Sequence, residues 1–222
     1  MGLSLDVDES DGAGETGEIA VRSRMSRAQR RSQLTDVGRS LFAIRGLDGT
    51  TIEEIAVAAG VSKPVIYEHF GSKEGLYREV VEQESKILLQ TITGSLSEEA
   101  APRILVERAA LALLSYIEDR TDGFRILIRD GPAQAEGAFS TLFSLIVARV
   151  EHIFTDEFAR RGFSPDDGAM YAQMLVGMVA MTGQWWLDVR KPSKEAVAAH
   201  VVNLAWHGLT GLRTAPELHD HH

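Results

Sequence analysis

The run from Thr51 to Lys73, TIEEIAVAAGVSKPVIYEHFGSK, constrains this chain most, because its start and stop signals divide it into two short helices about a glycine turn. Thr51 is placed to cap a helix, and Glu54 three residues on completes a capping box ahead of Ile55. Gly60 ends that helix. Ser62 is a second N-cap, and Pro64 falls in the next first turn, where a missing amide hydrogen costs nothing. Ile66 and Phe70, four residues apart, share one face of the second helix, whereas Lys63, Pro64 and Tyr67 form another. One face packs and the other is offered outward, which is the pattern of a helix-turn-helix. A cation, a phenol and a rigid proline ring suit the major groove, where phosphates take cationic or hydroxyl donors and a thymine methyl takes apolar contact. His69 and Lys73 fall where flanking phosphates would lie, and so does Thr51, through its hydroxyl or the helix N-terminus behind it. Glu53 is an acid on this surface; it either faces solvent or accepts from a cytosine amino group.

The longer run TTIEEIAVAAGVSKPVIYEHFGSKEGLY resembles the DNA-binding signature of the TetR family of bacterial transcriptional regulators. The shared elements are Thr50-Thr51, Ile55-Ala56, Ala59-Gly60-Val61-Ser62, Tyr67, His69-Phe70, Lys73 and Leu76. The resemblance spans about Arg27 to Val81 and implies a three-helix reading head followed by a variable helical ligand-binding domain. It also implies a homodimer whose interface is built from the last two helices. Gly177, Met181, Leu204, His207, Gly208 and Gly211 supply small and apolar surface there.

A formal net charge of -9 argues at first against a nucleic-acid partner, but the distribution reverses that. Asp6, Asp8, Glu9, Asp11, Glu15 and Glu18 load the N-terminal tail, whereas Arg22, Arg24, Arg27, Arg30, Arg31, Arg39 and Arg45 form a basic block abutting the motif. The chain has no cysteine, so disulfides, zinc-thiolate sites and thiol catalysis are excluded. No GxSxG elbow, GxxxxGK[ST] loop or HExxH pair occurs, so an enzyme has no visible carrier of its chemistry. His152, His200 and His207 read as partly buried core or interface residues. The His219-Asp220-His221-His222 tail is assigned no metal, and no cofactor is expected. Gly168 to Leu187 lacks charged residues, but Gln173, Thr182 and Gln184 interrupt it, so it reads as a core or interface helix, not a membrane span. The acidic N-terminus lacks an apolar core, so a cytoplasmic location is expected.

Apolar positions follow helical spacing throughout, without strand alternation, and predict an all-α chain of about nine helices. Helix one runs from Arg27 to Arg45 and stops at Gly46; a fourth, capped by Ser72, runs toward Leu89. The next apolar stripe, Leu105 to Ile117, closes at Asp122-Gly123, and Asp130-Gly131-Pro132 is a turn. A long helix then ends at Arg160, Arg161 and Gly162, and Ser164 to Asp167 open the uncharged helix. The expected organisation is a disordered acidic tail (1–24), a helix-turn-helix DNA-binding domain (25–71), a helical ligand-binding and dimerisation domain (72–213) and a flexible tail (214–222).

The DNA-contacting set is Thr51, Ser62, Lys63, Pro64, Tyr67, His69 and Lys73. The candidate effector pocket is Tyr116, Phe124, Leu127, Phe143, Met174, Met178 and Trp185, since methionine and flat aromatics suit adaptable apolar cavities. Arg125 and Arg129, beside an apolar run, face either an acidic head group or solvent. The function these readings point to is a ligand-responsive regulator, most simply a repressor, binding a palindromic double-stranded operator as a homodimer. Its effector would be a small lipophilic molecule, of fatty-acyl or similar type. The alternative is a helical interaction protein without specific DNA binding.

Overall fold

The computed structural model describes residues 25–97, 99–129, 138–213 and 216. The expected acidic tail (1–24), the Asp130-Gly131-Pro132 turn and, apart from Pro216, the expected flexible tail (214–222) lie outside them. The described residues form nine α-helices and no strand: α1 (Arg27–Arg45), α2 (Ile52–Ala59), α3 (Lys63–Phe70), α4 (Lys73–Ser95), α5 (Pro102–Asp119), α6 (Thr121–Arg129), α7 (Ala138–Arg161), α8 (Gly168–Val189) and α9 (Lys194–Thr210). None of these helices is long and apolar enough to cross a membrane.

Local signals set the ends of the first helices. Ser26 and Gln29 form a capping box at the start of α1, and Thr51 and Glu54 form another at α2. Gly60, at φ +64°, takes the left-handed conformation that turns α2 toward α3. Ser62 precedes α3, yet its hydroxyl makes no capping bond; the Val65 amide donates instead to the Ser62 carbonyl at 3.1 Å. Pro64, with its preset φ, removes one of the amides that a cap would otherwise satisfy.

Three places differ from the sequence expectation. Helix α4 continues past Leu89 to Ser95, because Ile92 and Leu96 are also buried in the C-terminal core. The break after α5 falls at Arg120, and Asp122-Gly123 lies in the first turn of α6. Gly123 ends nothing; it lets α6 press against α4, since a Cβ there would sit 2.2 Å from a carboxylate oxygen of Glu84. Before α8, Pro165–Asp167 form a separate 3-10 turn, so the helix itself starts at Gly168.

Two apolar cores result. Leu34, Phe42, Ile55, Ile66, Leu76 and Val80 close the N-terminal one, and Ile126 of α6 is buried in it as well. The second gathers Leu88 and Ile92 of α4 with Leu113 and Ile117 of α5, Trp186 of α8 and Val201 of α9. Helix α4 therefore runs through both cores, and α6 contributes Phe124 and Leu127 to one and Ile126 to the other.

Candidate nucleic-acid interface and apolar cavity

Helix α3 is anchored by Ile66, which is fully buried, and turns its opposite side to solvent. Ser62, Lys63, Pro64 and Tyr67 are exposed on that side, Tyr67 at 49%. The structure thus brings four of the seven predicted contact residues onto one open surface. Thr51 is exposed at the N-terminus of α2, but its hydroxyl accepts from the Glu54 amide at 3.2 Å and donates to the Glu54 carboxylate at 3.0 Å. What Thr51 has left to offer a phosphate is the helix N-terminus it caps. His69 and Lys73 are half-buried, and the His69 carbonyl accepts from Arg31 at 2.6 Å.

The arginine block divides into different jobs. Arg31 also pairs with Glu79 at 2.6 Å and lies 4.6 Å over the Phe70 ring, so it bolts α1 to the far end of α3 and to α4. Arg45 pairs with Glu54, and Arg39 points to Asp36 and Glu84. These three arginines brace the head; sequence alone assigned them to a general basic footprint. Glu53, left open between solvent and a base, pairs with Lys63. The hydrogen bonds from the Thr51 amide and hydroxyl, together with Arg45, hold the Glu54 carboxyl below its ordinary range.

Behind the head, α4 to α9 line an apolar cavity of about 120 Å³. Its wall includes Leu88, Leu113, Phe124, Phe143, Ile146 and Val150, and among the described residues Glu157 is the one ionisable group in the lining. Along α7 it runs from Leu142 to Glu157, a rise of about 22 Å at ~1.5 Å per residue. Glu157 accepts from Arg160 at 2.8 Å and from Arg161 at 2.7 Å. Of the predicted pocket residues, Phe124 and Phe143 line this space. Tyr116, Leu127 and Met178 are packed at the second core, and Met174 and Trp185 are 57% and 51% exposed on α8. Helical period puts methionines and aromatics on faces; it does not say which face a neighbour covers.

Between cavity and head lies a buried polar cluster that the sequence reading missed. Glu84 on α4 is 1% exposed and accepts from the Tyr116 hydroxyl at 2.8 Å, from Arg120 at 2.9 and 2.5 Å, and from Arg39 of α1 at 3.2 Å. Burial alone would raise its pKa, but the hydrogen bonds of Arg120 and Tyr116 and the charges of Arg120 and Arg39 outweigh it and leave the carboxyl lowered. The same burial and the neighbouring carboxylate push the Tyr116 phenol up. Phe124 meets the Tyr116 ring edge-on at 6.3 Å and also lines the cavity. Arg129, read from sequence as a head-group ligand or a solvated cation, donates to the Phe42 and Ala43 carbonyls at 2.9 and 3.2 Å and so caps the C-terminus of α1. The only sequence trace of this cluster is a Glu in register with the apolar positions Leu76, Val80, Leu88 and Ile92 of α4.

On the outer side, α8 exposes Met170, Met174, Met181, Trp185 and Val189, and α9 exposes Leu204 at 66%. Gly177 and Gly208 have open space where a Cβ would stand. His152, His200 and His207 are exposed in the single chain, not partly buried.

Residues 34–80 match the family described as bacterial regulatory proteins, tetR family. Over 189 residues the chain is 28% identical to the HTH-type transcriptional activator FasR of Mycolicibacterium smegmatis, covering 85% of this chain and 86% of that one. Among solved structures, a TetR-like transcriptional regulator from Rhodococcus sp. RHA1 aligns with a TM-score of 0.70 at 24% identity, over 85% of this chain and all of that one. AibR in complex with isovaleryl coenzyme A and operator DNA aligns with a TM-score of 0.65 at 18% identity, over 79% and 97%. At those identities the two structures speak for the fold alone.

Proposed function

We propose, on the premise that this chain belongs to the TetR family of bacterial transcriptional regulators, that it binds a palindromic operator as a homodimer and releases or engages it in response to a lipophilic effector. It is a DNA-binding regulator and not an enzyme. The observation that carries the reading is the division of α3 into a buried Ile66 side and an open Lys63-Pro64-Tyr67 side. A head of this size reads few base pairs, so two copies related by a dyad, with half-sites ~34 Å apart or a multiple of it, supply the rest of the site. The apolar outer stripe of α8 with Leu204 of α9 supports a second copy of the chain as the occupant of that face. The division into a head of residues 25–71 and an effector and dimer domain of residues 72–213 belongs to the same proposal, with α4 and α6 shared between their cores. Action in the cytoplasm, where the DNA lies, follows from the role.

The effector reading rests on the cavity. An elongated apolar wall with, among the described residues, one paired carboxylate near one end suits a molecule with a linear hydrocarbon part, of fatty-acyl or similar type. Phe124 stands in that wall and against Tyr116, which holds Glu84 and through it Arg39 of α1. An effector preferring one setting of this contact would bias the spacing of the two heads. Repression follows where the operator overlaps a promoter. The likeness over 189 residues to a named activator favours a second reading, activation from an operator upstream of the promoter. A reporter carrying the operator in either position separates the two.

The test is a salt-controlled titration against DNA from upstream of the protein's own gene, with unrelated DNA as competitor. Tyr67→Ala is expected to weaken cognate binding without dissociating the dimer. Lys73→Ala is expected to weaken binding to all sequences alike and to flatten the salt dependence. Cognate affinity unchanged in Tyr67→Ala would remove the assigned reading face, whereas wild-type binding that does not distinguish upstream from unrelated DNA would favour a helical interaction protein without specific DNA binding.

A further inference from the structure

The open face of the reading head carries an acid, and the way it is held indicates the base pair it meets. Glu53, in the first turn of α2, forms an ion pair with Lys63, the first residue of α3; their side chains are 61% and 49% exposed. An ion pair that open to water adds little to stability. An isolated acid on a DNA-facing surface is repelled by phosphates. Joined to Lys63, the carboxylate is part of a neutral unit that presents an acceptor beside a donor. Glu54, the neighbouring acid, is committed to the Thr51 cap and to Arg45.

In the major groove a cytosine–guanine pair offers the complement of that unit, an N4 amino donor on cytosine beside the O6 and N7 acceptors of guanine. A thymine in place of the cytosine would set its O4 acceptor against the carboxylate. The N-terminal residues of a recognition helix are the ones that meet base edges, and the Glu53 carboxylate touches the ammonium of the first of them. Resting on the regulator reading above, we propose that Glu53 and Lys63 act together to read one cytosine–guanine pair in each half-site. Glu53 accepts from cytosine N4, and Lys63 donates to the guanine of the same pair.

The test equilibrates wild-type, Glu53→Gln and Lys63→Ala proteins with random-sequence duplex DNA, sequences the bound fraction, and measures affinity on the selected site and its substitutions. Wild type is expected to require a cytosine–guanine pair at one position of each half-site, with about a tenfold loss on replacing it. Glutamine carries a donor as well as an acceptor and pairs with adenine, so Glu53→Gln is expected to lose the cytosine and shift toward adenine there. Lys63→Ala is expected to flatten the same position. Unchanged base preferences in Glu53→Gln, with or without a uniform rise in affinity for all DNA, would overturn the proposal. A wild-type protein that selects no sequence would overturn the regulator reading instead.

Discussion

Truncating Glu84 to alanine is the most informative single perturbation of this fold. It removes the acceptor shared by Tyr116, Arg120 and Arg39 and leaves a buried phenol and two guanidinium groups facing an emptied site. Breaking one side of a fully buried ion pair costs about 3–5 kcal/mol. Arg120 and Arg39 keep side-chain exposures of 30% and 21%, so water can partly solvate them, and the lower end, about 3 kcal/mol, is expected. For a chain of this size that corresponds to a fall in Tm of roughly 6–12 °C. Glu84→Gln keeps one acceptor oxygen and is expected to lose less, about 2 kcal/mol. The Glu84 carboxyl is lowered in the folded state, so its stabilisation is present above the ordinary carboxylate range and is lost as pH falls through the folded value, below 4.5. Urea titrations at fixed protein concentration, near neutral pH and again well below 4.5, read both effects. An alanine variant within about 1 kcal/mol of wild type at neutral pH would refute the reasoning. So would a wild-type-to-alanine difference that does not shrink on acidification.

Gly123→Ala sets a Cβ 2.2 Å from the Glu84 carboxylate, so it is expected to destabilise by a similar amount and to add little when combined with Glu84→Ala, as a double-mutant cycle in urea would show. Arg129→Ala removes the cap on α1 and is expected to cost about 1–2 kcal/mol, with faster amide exchange confined to the contact between α1 and α6. Leu204→Arg puts a charge on the apolar outer face of α9; ultracentrifugation is expected to find a folded monomer whose operator affinity is much reduced. Val150→Phe narrows the cavity and is expected to abolish the effector response in a DNA-release assay while leaving effector-free operator binding within about twofold of wild type.

What could be read from the chain itself was whatever short-range chemistry decides. The Thr51–Glu54 capping box, the left-handed Gly60, Pro64 in a first turn and the opposite faces of Ile66 and Tyr67 all depend on residues a few positions apart, and they carry the helix-turn-helix. Helical period likewise made the chain all-α and marked most of its breaks. The same reasoning failed at Asp122-Gly123, where a turn signal was overridden by the close approach of α6 to Glu84. It also took Met174 and Trp185 for pocket residues, although α8 turns them outward.

Tertiary structure alone decided how the pieces are joined. Glu84 lies 45 residues from Arg39 and 36 from Arg120, and Arg129 lies 87 from the Phe42 carbonyl it caps. A carboxylate in register with apolar neighbours is costly to bury unless distant partners meet it, and nothing near it in sequence says that they do. Arg31, Arg39 and Arg45 looked alike as a basic block, and folding made them braces by bringing Glu79, Glu84 and Glu54 to them. Periodicity says which residues share a face; only packing says what that face meets.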